Sequence, residues 1–395
     1  MRLVARTGSL LLASACALGT RAAEREVAAG FALAAPPIVA DSARVALAAP
    51  GVVHRYYWLR EGPWAVHVLD VDREACWTLT AAKAHEGAVG REPTSAIVAS
   101  QPELGRVAAG GINGDFFLLA PPGVPVGAHV EAGRVVAGPV ARPVVLVDSA
   151  GVVRIDTLRA AGWLAAPGFG AEIVAWNRPR ANGLTLFDDG WGPATDSATG
   201  ALEVVISARR RGVVLALDTV PAGVAIPPGG AVLAVGRGAP AILRAQLGAL
   251  RAGMDTVDVA LALTPSHPRE AVGGFPILLR GGREVPGLES AGGEGFGPVR
   301  HPRTAVGIGA GGRRLFLVVV DGRQPPYSDG MTLGELAAFM RALGADDALN
   351  LDGGGSTAMA VAARRVGGAP RVVNRPSDRE GERAVANALV VSCER

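Results

Sequence analysis

RTAVGIGAGGRRLFLVVVDGRQPPYSDGMTLGELAAFMRALGADDALNLDGGGSTAM, residues 303–359, holds the order of elements from which the rest of the chain can be read. TAVGIG (304–309) and LFLVVV (315–320) have strand composition and are separated by AGGRR, the pattern of an antiparallel hairpin centred near Gly312. That symmetry sets Arg303, just before the first strand, opposite Asp321, just after the second. Thr332 followed by Glu335 is a capping box. Leu333, Leu336, Ala337, Met340 and Leu343 then share one helical face, and Gly344 supplies the stop. DALNL is a second strand, and it ends at Asp352. Strand, loop, helix and strand make a connection long enough for a parallel crossover, which brings both carboxyl ends to one edge of a sheet. Arg303, Asp321, Asp352 and the glycines Gly353, Gly354 and Gly355 are therefore expected at one rim, where ligands commonly bind. VAAGGINGDFF (107–117) closes in the same way on Asn113, Gly114 and Asp115, and it would add a third acid if its strand joined that sheet.

The remainder of the chain supplies the frame. Its 395 residues, about half of them hydrophobic, suffice for one large core or two ordinary ones. The net charge of +3 and a pI near 9.0 would suit an anionic partner, yet Lys83 is the only lysine and the arginines are spread throughout, so no nucleic-acid partner is expected. Arg2 and Arg6 precede an apolar run from Gly8 to Gly19 with small residues after it, which reads as a signal peptide over residues 1–23. Export to the periplasm or the exterior follows. Lipid anchoring through Cys16 is the less favoured variant, because the large aliphatic residue stands one place too early. No stable membrane span is expected beyond this segment. Cys76 and Cys393 would remain in the exported chain, free to pair in an oxidising compartment.

Residues 24–60 read as an Ala/Pro-rich lead-in and residues 61–395 as the domain. VVLVDSAGVVRID and LEVVISARRRGVVLAL are strand, turn, strand. Helical patterns are confined to residues near 239–251 and 332–343, so the expected class is α+β, with mixed, largely antiparallel sheets around few helices and one strand-helix-strand unit at the site.

Each singled-out residue also has a plainer reading. Asp352 with its glycines could be a strand-ending turn, Asp321-Gly322 and Asn113-Gly114 are common turn pairs, and Thr332 is a helix cap. Ser356 sits in GGSTA, which lacks the GxSxG elbow, so Ser356 and Thr357 suit hydrogen bonding better than nucleophilic attack. Arg383 is a second anion contact or a surface arginine.

Taken jointly and in order, NGDFF (113–117), GGFPILL (273–279), RTAVGI (303–308), VDGRQPPYSDGMTLGELAAFM (320–340), GADDALNLDGGGSTAM (344–359) and VVNRPSDREGERAVANALVV (372–391) resemble the phosphodiester glycosidase family. The resemblance runs from about Trp64 to the end, with little of it in 121–270. It implies hydrolysis of a sugar 1-phosphodiester, N-acetylglucosamine first among the sugars, on an envelope or extracellular glycan, to free sugar and phosphomonoester. The chemistry suits the residues. Arg303 can fork onto phosphate oxygens, the Gly353–Gly355 N–H groups can cradle them, and an aspartate can stabilise or capture an oxocarbenium-like centre. Asp115, Asp321 and Asp352 are the catalytic candidates, unranked, with Asn113, Arg303, Gly353, Gly354, Gly355, Ser356, Thr357 and Arg383 around the substrate. No cofactor or metal is expected, since the histidines are scattered without ligand spacing. The rival from another class is a glycan-binding or envelope-assembly protein that keeps the pocket without the chemistry.

Overall fold

The protein is described by a computed structural model over residues 38–394, except 86, 102–104, 196–199, 220–222 and 363–368. The expected signal peptide and Cys16 lie outside the described residues.

The run LFLVVV is apolar at every position because both faces of its strand are covered. Phe316, Val318 and Val320 enter one core and Leu315, Leu317 and Val319 another. The strand Arg314–Val320 sits inside an eight-stranded sheet of spatial order Ser42–Ala49, Val52–Leu59, Trp64–Asp72, Arg314–Val320, Arg303–Gly309, Ala345–Asn350, Ile277–Arg280, Arg283–Glu284, with each neighbouring pair antiparallel. Arg314–Val320 and Ala345–Asn350 both run against Arg303–Gly309, which lies between them. They therefore point the same way without pairing, and Asp321 and Asp352 leave the sheet at the same edge. The hairpin turn is centred between Gly311 and Gly312, so Arg303 faces Val320 and falls one position short of Asp321.

The helix Leu333–Leu343 covers one face of this sheet. Thr332 Oγ1 accepts from Glu335 N at 3.1 Å, Glu335 Oε2 accepts from Thr332 N at 2.9 Å, and Gly344 closes the helix at φ 93°. Against the other face lies a five-stranded sheet ordered Arg371–Val372, Met359–Val361, Arg106–Asn113, Asn387–Glu394, Thr78–Lys83. Ile112, Met359 and Leu389 from this sheet share a core with Leu317 and Val319. A further five-stranded sheet pairs Pro143–Val147 with Val153–Thr157, the first of the hairpins expected from sequence. The second, Leu202–Ile206 with Arg211–Asp218, belongs to a closed seven-stranded barrel spanning Arg159–Ala166 to Thr256–Thr264, whose core continues into that five-stranded sheet through Val130, Val144 and Leu146.

The architecture is thus largely antiparallel β. Its α-helices among the described residues are Thr94–Ser100, Ala241–Gly248 and Leu333–Leu343, of which only the first was not anticipated. Within the barrel, Phe169–Trp176 and Leu184–Phe187 make a parallel pair. The lead-in reading of 24–60 needs correction, because Ser42–Ala49 and Val52–Leu59 are strands of the main sheet. Ala and Pro there suggested irregular chain. Gly51, at φ 79°, instead turns a hairpin that buries Val52, Val53 and Tyr57. Cys76 and Cys393 are joined in a disulfide with a Cα–Cα distance of 5.4 Å. Among the described residues no helix is long and apolar enough to cross a membrane.

Candidate functional site

Asp352 begins the rim. Its N–H donates to Gly114 O at 3.0 Å and its carbonyl accepts from Asn113 Nδ2 at 2.7 Å. The Asn113–Asp115 ending is therefore stitched to Asp352 although its strand belongs to the five-stranded sheet and not to the eight-stranded one. Asn113 is fully buried, and its Oδ1 accepts from Thr304 Oγ1 at 2.7 Å and Ala358 N at 3.1 Å. Its amide holds the two sheets together, which corrects the expectation of a substrate contact. Thr357 is likewise buried, with its hydroxyl 3.4 Å from Thr304 Oγ1.

Asp115 is buried, and its backbone N–H donates to Asn387 Oδ1 at 2.9 Å. Its Oδ2 accepts from Gly127 N, while Oδ1 has no hydrogen-bond partner among the described residues. Burial pushes the Asp115 carboxyl up to about 6. The Gly127 N–H, Arg142 and Arg178 oppose that rise, and the charge of Asp352 adds to it. Burial also brings Asp352 up to about 6, opposed by Ser356, the Gly353 N–H and Arg383. Ser356 Oγ faces this carboxylate but lies outside good hydrogen-bond geometry.

The glycines have three separate reasons. A Cβ on Gly353 would lie 2.7 Å from Pro302 O, Gly354 adopts φ 61°, and a Cβ on Gly355 would lie 2.2 Å from both Arg383 Nη2 and Asp378 Oδ1. Close approach and a left-handed turn are what the loop requires. A phosphate cradle built from all three N–H groups is not what it forms. Gly353 N donates to Asp352 Oδ1 at 2.9 Å and Gly354 N to Pro302 O at 2.9 Å. The cations above the loop are Arg383, forked onto Asp378 at 2.8 and 3.1 Å, and Arg323, whose guanidinium reaches His301 Nδ1 at 3.1 Å and lies beside Gly354.

Arg303 departs furthest from expectation. Its Nε donates to Met331 O at 2.8 Å and its Nη2 to Phe296 O at 2.6 Å and Val299 O at 2.8 Å, with the Phe296 ring 4.9 Å away. It is buried, and burial brings its guanidinium down to about 10, with Arg323 adding to the effect. Carbonyls of the loops that flank the rim occupy the fork proposed for phosphate, so Arg303 positions those loops.

Asp321 turns to a different set of partners. Oδ1 accepts from Asn374 Nδ2 at 2.9 Å, Oδ2 from Tyr327 Oη at 2.9 Å, and the Arg375 N–H reaches both oxygens at 3.1 Å. His67 Nε2 is 3.9 Å from Oδ2. Burial pushes this carboxyl up to about 6 as well. The structure therefore brings Asp115 and Asp352 together and gives Asp321 its own surroundings on the same edge.

Sequence reasoning did not single out Arg142, Arg323 or Asn374. Arg142 lies between the rings of Phe116 and Phe275, at 5.4 and 5.2 Å. Arg323 follows Asp321-Gly322 and Asn374 follows the strand Arg371–Val372, positions at strand ends where site residues collect. Among the described residues no group of three or more His, Cys, Asp or Glu side chains gathers as a metal ion would require.

Residues 199–392 match the family model described as phosphodiester glycosidase. No curated protein gives a match. Among solved structures the chain is similar to a hypothetical protein from Synechocystis, at 24% identity and a TM-score of 0.73, covering 90% of this chain and 64% of that one. It is also similar to a putative exported protein from Burkholderia pseudomallei, at 27% identity and a TM-score of 0.65, covering 84% and 74%. The catalytic domain of zebrafish N-acetylglucosamine-1-phosphodiester alpha-N-acetylglucosaminidase, auto-inhibited by its pro-peptide, aligns at 15% identity and a TM-score of 0.45 over 93% and 97%. The chain thus spans about 64% of the length of the Synechocystis protein.

Proposed function

From a chain that carries a phosphodiester glycosidase domain over residues 199–392, we propose hydrolysis of a sugar 1-phosphodiester, with N-acetylglucosamine as the first sugar to test. The observation that carries the reading is the buried Asp115 and the half-buried Asp352, stitched together through the Gly114 carbonyl beside a loop that Arg323 and Arg383 flank. In the reaction the bond between the anomeric carbon and the phosphate oxygen breaks, water adds to the carbon, and the phosphate leaves as a monoester. Asp352 stabilises or captures the cationic centre, and Asp115, with its unpartnered Oδ1, holds or accepts the proton of the incoming water. The two arginines offset the charge gathering on the departing phosphate. Phosphate is a good leaving group, so the demand for a strong general acid is small.

The enzyme acts outside the cytoplasm on envelope or extracellular glycan. The N-terminal basic and apolar segment, the Cys76–Cys393 disulfide and the similarity to an exported protein support that placement. The test is turnover of an N-acetylglucosamine 1-(alkyl phosphate) diester in ¹⁸O-labelled water. Label in the released sugar supports the reading. Label in phosphate means attack at phosphorus and overturns it, as does binding of the diester without turnover.

A further inference from the structure

A cavity of about 530 Å³ opens beside the Asp321 carboxylate, walled by the strands Ser42–Ala49, Val52–Leu59 and Trp64–Asp72 on one side and by residues 371–375 on the other. Arg44, Arg371 and Arg375 line it, and no acid does; the nearest carboxylate, that of Asp321, is held behind Tyr327 and Asn374. Among the described residues no ion pair or side-chain hydrogen bond holds any of these three guanidiniums, and of the three only Arg375 acts on the Asp321 charge. Arg44 lies over the Tyr56 ring at 5.5 Å and Arg375 over Tyr327 at 5.4 Å. Stacking of this kind fixes a guanidinium plane while leaving its N–H edge free for an oxyanion.

One further group faces the cavity. His67 is buried, and among the described residues its Nε2 has no hydrogen-bond partner. Its Nδ1 lies 3.1 Å from His54 Nε2, and the two rings stack with an interplanar angle of 4°. With Asp321 Oδ2 at 3.9 Å, Nε2 lies towards that carboxylate in the interior, so His67 gives the cavity a wall and no free donor. Three arginines around a cavity with no acid in its lining are the equipment of an anion site.

We propose that this cavity binds a phosphoryl group, with Arg44, Arg371 and Arg375 supplying the charge and the donors. The site is separate from the Asp115–Asp352 pair. Arg44, His54, Tyr56 and His67 precede residue 199, so one wall of the cavity lies outside the segment that matches the family model.

The test is calorimetric titration of the full chain with inorganic phosphate and, in a second arm, with a sugar phosphodiester. The comparison includes Arg44→Ala/Arg371→Ala and Arg383→Ala, each checked for an unchanged Tm. Arg44 and Arg371 are exposed, so that double variant is expected to fold and to weaken phosphate binding roughly tenfold or more. Arg383→Ala, which belongs to the proposed hydrolytic site, should keep the phosphate binding that the double variant loses. Binding by the diester alone would mean that the phosphoryl group is not sufficient and would overturn the proposal. Wild-type affinity in the double variant, or loss confined to Arg383→Ala, would overturn it too. Turnover plays no part in this readout, so the assignment stands or falls independently of the proposed hydrolysis.

Discussion

At the scale of single residues, Asp115 and Asp352 are the pair whose removal should matter most. Each is expected to cost kcat/KM on the order of a hundredfold when changed to Asn, with the joint loss well short of the product. Because burial pushes both carboxyls up to about 6, activity that needs an ionised carboxylate should fall as pH drops through 6. Asp352 raises Asp115, so Asp352→Asn should shift the residual acid limb to lower pH; an unmoved limb in the pH–rate profile would dissociate the two. The same burial has a stability sign. A carboxyl whose folded pKa lies above its unfolded value contributes stability below about pH 4 that is lost as pH rises through 6. Asp352→Asn is therefore expected to stabilise the fold at pH 8 by about 1–3 kcal/mol relative to its effect at pH 4, read from chemical denaturation at both values. Arg303 and Arg383 should separate cleanly. Arg303→Ala leaves the carbonyls of Phe296, Val299 and Met331 without their donor, and a Tm loss equivalent to about 2–4 kcal/mol is expected. Arg383→Ala should leave Tm nearly unchanged and raise KM.

At the scale of elements, the sequence is most legible where local rules act alone. The hairpin 303–320, the capping box at Thr332 and the Gly344 stop are set by turn chemistry and by hydrogen bonds between near neighbours. Thr332→Ala is accordingly expected to cost about 1 kcal/mol in urea unfolding, an ordinary cap loss with no effect on KM. The barrel was less legible. Its hairpin 202–218 shows in the sequence, but closure depends on pairing Arg159–Ala166 with Thr256–Thr264, a contact about a hundred residues apart that no local pattern encodes. The strands at 42–59 were hidden by composition. The three glycines were visible as a feature while their cause was not, since the backbone of Pro302 and the Arg383–Asp378 pair that crowd them come from elsewhere in the chain. Arg303 was misread for the same reason: a fork suited to phosphate suits carbonyls equally, and only the fold brings those carbonyls to it.

At the scale of the whole molecule, the disulfide ties Cys76, just ahead of the strand Thr78–Lys83, to Cys393 in the last strand, across a sequence separation of 317. Opening it with reductant should lower stability by about 2–5 kcal/mol, seen as a lower Tm; an unchanged Tm would mean that the strand pairing alone secures that corner. That last strand, Asn387–Glu394, pairs on one side with Thr78–Lys83 and on the other with Arg106–Asn113, and it supplies the Asn387 oxygen that holds the Asp115 backbone. The order of synthesis then matters. While the ribosome is still making the chain, Thr78–Lys83 and Arg106–Asn113 must wait for the strand that pairs with both of them. Asp115 leaves the ribosome early, but it cannot be seated until Asn387, 272 residues later, has followed it.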